Sequence, residues 1–74
     1  MIVVEGRTDM WLKMTHEHFL DFKHTDEWKN HGYDGTSDLA LRTFGYTVTR
    51  DQRSDVVFTF DNPHDYTLYL LRHS

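Results

Sequence analysis

The residues best equipped for chemistry crowd one stretch of the chain. THEHFLDFKHTDEW, residues 15–28, holds His16, His18 and His24, interleaved with Glu17, Asp21, Asp26 and Glu27. Imidazoles and carboxylates at that density suit divalent-metal ligation or acid–base work. Spacing decides between those uses and a plain polar face. In an extended segment His16 and His18 share a face. In a helix they stand about 200° apart and cannot grip one ion. A different set then lines up: Glu17, Asp21, His24 and His31, at steps of four, three and seven. Trp28 falls in the same stripe, and no H-E-x-x-H motif is present. The stretch therefore reads as a capped helix whose His/Asp/Glu side meets water, and no metal or cofactor is expected at the His16/His18/His24/His31 cluster.

Catalysis has little else to stand on. The chain lacks cysteine, and Ser37, Ser54 and Ser74 lack the flanking glycines of a nucleophile elbow. No glycine-rich phosphate loop is present. His64 in DNPHD, paired with His31 or His73, has the chemistry of a small ribonuclease. Twelve acids against eight bases, a net charge of −4, would repel that substrate. The same balance argues against direct nucleic-acid binding, which draws on a basic face. DLALRTF, the candidate recognition helix of a winged-helix-like regulator, offers only Arg42, with Asp38 beside it. The expectation is a protein that is not an enzyme.

What remains is a protein–protein role. Aromatics make up 15% of the chain, more than the clear core positions use. Several have acids beside them: Trp28 with Asp26 and Glu27, Tyr33 with Asp34, Tyr66 with Asp65, and Trp11 near Asp9. Aromatic anchors with charged neighbours are a common interface composition. These residues point to a small acidic inhibitor or modulator of a basic, nucleic-acid-handling protein, a role of the kind filled by antitoxins, immunity proteins and phage-encoded inhibitors of host defence. Trp28→Ala should then weaken binding and leave folding intact. The alternative is a self-associating domain, a homodimer paired at an open sheet edge.

The elements that must position these residues read as α+β. MIVVE is a strand, and MWLKM, with its period of two, a second strand that either completes an N-terminal hairpin or continues the first as one long bent strand. Thr15 is the expected cap of a helix over residues 16–30, with Phe19, Leu20 and Phe22 inward. Trp28 projects the other way unless the helix breaks and Thr25 caps a second one. Ser37 or Thr36 caps DLALRTF, which Gly45 stops. YTVTR, VVFTFD and YTLYLLR then form a three-stranded antiparallel meander, with Tyr46, Val48, Val56, Phe58, Phe60, Leu68 and Leu70 toward the core. The expected order is ββααβββ: one domain over residues 1–74, two helices on one sheet face. With no signal-peptide pattern and no apolar run long enough for a bilayer, a soluble cytoplasmic protein is expected. So short a chain buries only about 60% of its unfolded surface, and without cysteine no disulfide can compensate.

Overall fold

Three strands make one antiparallel sheet. β1 (Ile2–Val4) and β2 (Tyr46–Arg50) flank β3 (Val56–Phe60), which is central. Ile2 and Tyr46 both pair with Phe60, Val4 and Val48 both with Phe58. The registers bring Val4, Tyr46, Val48, Val56, Phe58 and Phe60 onto one face, where all six are buried. Val3, Thr47, Thr49, Val57 and Thr59 take the other face and keep some exposure. Period-2 alternation in the sequence therefore placed Tyr46, Val48, Val56, Phe58 and Phe60 correctly, but Val4 takes the place expected for Leu68 and Leu70. The structure, a computed structural model, describes residues 1–73.

Helices cover the buried face. α1 (Asp9–Phe22) and α2 (Asp26–His31) follow β1; a 3-10 turn over Asp34–Thr36 leads into α3 (Ser37–Phe44); and α4 (Pro63–Arg72) follows β3. The class is α+β, but the order differs from ββααβββ at three segments: MWLKM and YTLYLLR are helical, and the helix expected over residues 16–30 is divided at Thr25. MWLKM is the start of α1. Thr8, not Thr15, is its N-cap: the Thr8 hydroxyl accepts from the Trp11 amide at 3.2 Å. Thr15 lies mid-helix and donates back to the Leu12 carbonyl at 2.9 Å. Met10 and Met14, two residues of the apparent strand face, are also one helical turn apart, so five residues could not separate the two periods.

YTLYLLR is the second departure. Asn62 caps α4 by accepting from the His64 amide at 2.9 Å, and Pro63 opens the first turn. Proline there loses no hydrogen bond and supplies the right φ. Tyr69 points inward and is buried, whereas Leu68 is exposed. The third strand position belongs instead to β1.

The break in the histidine stretch is real. Thr25 caps α2, accepting from the Trp28 amide at 3.2 Å and donating to the Phe22 carbonyl at 2.7 Å. Gly45 closes α3 in the left-handed region at φ 85°. The inward face of α1 is Met14, His18 and Phe22, at steps of four. Phe19 and Leu20 were expected inside but are exposed, and His18 was expected outside but is fully buried. Moving the helix start by seven residues accounts for none of this by itself; what matters is that α1 seats its Met14–His18–Phe22 stripe on Tyr46 and Phe58 of the sheet. Each fully buried large side chain contributes about 1.5–3 kcal/mol.

A surface ridge and the polar cluster beneath it

Two polar clusters tie α1 to the rest of the molecule. In the first, His18 Nδ1 lies 2.6 Å from the Tyr46 hydroxyl, and Nε2 lies 2.5 Å from the Thr36 hydroxyl. Thr36 also donates to the Tyr33 carbonyl at 3.1 Å. Its single proton being used there, Thr36 accepts from His18 Nε2–H. Nδ1 is then the acceptor, and Tyr46 O–H donates to it. This tautomer satisfies every proton in the set. All three residues are buried. Burial lowers the His18 pKa from 6.5 to about 4 and raises that of Tyr46 well above its usual range.

In the second cluster, the Glu17 carboxylate accepts from the Tyr69 hydroxyl at 2.9 Å and pairs with His73 Nδ1 at 3.2 Å. It joins α1 to the far end of α4. Burial first, then the bond to Glu17, push the Tyr69 phenol upward. Asp21 is raised by desolvation, with His73 opposing and Glu17 reinforcing the shift.

The candidate metal ligands of the stripe and the His cluster are divided between these settings. Glu17 serves Tyr69 and His73, His18 serves Tyr46 and Thr36, and Asp21, His16, His24 and His31 stand exposed. Among the described residues no group of three His, Asp or Glu side chains is arranged to hold a metal ion. His64, the other histidine of interest, is exposed at the start of α4.

The residues read as partner-binding fall into three places. Trp28, Asp26, Glu27, Tyr33 and Asp34 stay together on α2 and the following turn. Trp11 lies elsewhere, at the start of α1, where its indole N–H donates to the Val56 carbonyl at 2.5 Å. Tyr66 packs edge-on to Phe60 with centroids 5.2 Å apart, and Asp65 lies against Gly45. Both Trp11 and Tyr66 thus pack against the core. Trp28 is half-buried: it meets Tyr33 at 4.8 Å, Phe19 at 5.4 Å and His18 at 6.1 Å. It bridges core and surface, so Trp28→Ala removes packing as well as any contact with a partner.

The group gains residues that sequence reasoning missed. Phe19 is 40% exposed and Leu12 55% exposed. With His16 and Lys23 they form the outward stripe of α1, at steps of four, three and four. Leu20 is exposed beside it. The signal was available in the seven-residue spacing of Leu12 and Phe19, once Thr8 is taken as the helix start. Phe19 meets Trp28 edge-on, so α1 and α2 present one apolar ridge. Asp26 and Glu27 stand exposed at the first turn of α2, and Asp34 pairs with Arg50 at 3.2 Å. The Lys23 ammonium lies 5.8 Å from the Phe19 ring centroid.

The sequence matches no protein-family model, and neither a curated protein nor a solved structure matches it. No helix among the described residues is long and apolar enough to cross a membrane.

Proposed function

We propose that the chain is a non-enzymatic protein-binding module that inhibits or modulates a basic, nucleic-acid-handling partner, and that the ridge formed by Leu12, Phe19 and Trp28 is its contact surface. The exposure of Phe19 against Trp28 carries this reading. A small domain short of core keeps a large aromatic on its surface, continuous with a second one that reaches inward to His18. Apolar area held in water has a cost that a partner removes. Asp26 and Glu27 at one end of the ridge, and the overall charge of −4, suit encounter with a basic surface. Both ring nitrogens of the buried histidine and the Glu17 carboxylate are engaged by partners within the fold, which favours binding over catalysis as the use of the molecule.

Self-pairing at a sheet edge is the weaker reading. The Ser37 hydroxyl accepts from the Val48 amide at 3.1 Å, so part of the outer edge of β2 is already covered. The other edge strand, β1, is only three residues long. Short and covered edges discourage strand addition.

The test is affinity capture from extracts of cells in which the protein occurs, with the bait coupled away from metal resin because exposed histidines bind such supports. A basic protein held in stoichiometric amount, and lost on Phe19→Ala, supports the proposal. Equal recovery with both baits, or no partner at all, refutes it.

A further inference from the structure

We infer that the cleft between α3 and α4 is a second docking site, independent of the α1–α2 ridge, for an acidic peptide segment that offers one bulky apolar side chain flanked by carboxylates. The cleft encloses about 210 Å³. Leu41 from α3 and Leu68 from α4 give it an apolar lining, and they remain 44% and 47% exposed. Phe44 and Tyr69, ring centroids 5.7 Å apart and edge to face, form a wall already fixed by the core. That volume is smaller than the several hundred Å³ of a typical small-ligand pocket, yet ample for a ring-sized group. A single anchoring side chain fits better than a free metabolite.

Charge selects the rest of the ligand. Arg42, in the last turn of α3, and Arg72, in the last turn of α4, both line the cleft. The Arg72 guanidinium lies 5.5 Å from the Phe44 ring centroid, which holds it at the wall. Among the described residues Arg42 donates to the Asp38 backbone carbonyl, at 3.4 Å. Among the described residues neither arginine has a carboxylate partner, in contrast to Arg7 with Asp55 and Arg50 with Asp34. The one acid in the cleft, Asp65, sits in the first turn of α4, where the helix dipole favours it, and packs against Gly45. Two arginines without carboxylate partners among the described residues, beside an apolar opening, complement an acidic amphipathic peptide. Nucleic acid would use the arginines but leave Leu41 and Leu68 uncovered.

The full chain is panned against a random peptide display library. Enriched peptides are synthesised and titrated by fluorescence anisotropy, with amide chemical shifts mapping the site. Peptides should carry Asp or Glu around one Leu, Ile, Phe or Trp, and shifts should centre on Leu41, Leu68 and Tyr69. The double variant R42E/R72E and the single variant L68A, all at exposed positions, should each weaken binding about tenfold or more while circular dichroism stays unchanged. Four results would overturn the assignment: no enrichment, basic consensus sequences, shifts centred elsewhere, or affinity indifferent to R42E/R72E. Tighter binding of a single-stranded oligonucleotide than of any peptide would also overturn it. F19A should leave these titrations unchanged, so the ridge and the cleft fail or succeed separately.

Discussion

His18 is held neutral by burial, and its hydrogen-bond geometry agrees with the neutral form. Both ring nitrogens are engaged by hydroxyls, and Tyr46 already donates its proton to Nδ1. Protonating that nitrogen in place would set two donors against each other inside the core. With a pKa of about 4 in the fold and 6.5 as the ordinary value, the unfolded chain binds this proton first as pH falls. The fold therefore has the full His18 contribution above pH 6.5 and loses it progressively toward pH 4, by about 3 kcal/mol in all. Asp21 works in the opposite sense. Its carboxyl is raised by burial, so acid favours the fold there, but its exposure keeps the effect small. Urea unfolding between pH 7 and pH 4.5 should show the fall, and His18→Gln, which keeps a donor and an acceptor without titrating in that range, should flatten it. Tyr46→Phe should cost about 1–3 kcal/mol at pH 7 by leaving Nδ1 without a donor, measurable as a lower urea midpoint at unchanged slope.

At the scale of elements, caps decide what the apolar pattern leaves open. Asn62→Ala should cost about 1 kcal/mol and loosen α4 before the rest, visible as faster amide exchange in its first turns. Gly45→Ala should cost about 1–2 kcal/mol in thermal unfolding. The residue sits at φ 85°, and a Cβ there would come 2.7 Å from the Asp65 side chain. The inward faces of β2 and β3 and the stop at Gly45 were legible in the sequence, and the break at Thr25 was one of two readings it left open, because each rests on a local rule: alternation, a left-handed glycine, a threonine cap. The two misread segments are short runs where strand and helix periods coincide. Asn62-Pro63 has turn composition and also serves as a cap followed by a first-turn proline. Thr8 follows Gly6-Arg7, likewise turn composition, and caps α1. The inward placement of His18 was not legible in the same way. Its partners Thr36 and Tyr46 lie 18 and 28 residues away, and only tertiary packing brings them to it.

At the scale of the whole molecule, one small fold offers two apolar openings of unlike charge surroundings. The α1–α2 ridge has Asp26 and Glu27 at its end, and the α3–α4 cleft has Arg42 and Arg72. Raising salt should slow association at the ridge more than it speeds dissociation, because exposed charge acts mainly on encounter and apolar contact on residence. Of the residues singled out by sequence, Trp28, Asp26 and Glu27 of α2 lie at the ridge, whereas Tyr33 packs against the core and donates to the Thr15 carbonyl, and Asp34 pairs with Arg50. Trp11 and Tyr66 pack elsewhere, since a chain this short draws most of its aromatics into one core. The central claim is that the ridge binds a basic protein. Its most direct measurement is the association and dissociation rates of the captured partner on immobilised wild type, F19A and D26K/E27K. F19A should raise the dissociation rate about tenfold or more and D26K/E27K should mainly lower the association rate. Rates unchanged in both variants would contradict the claim and move the contact surface off α1 and α2.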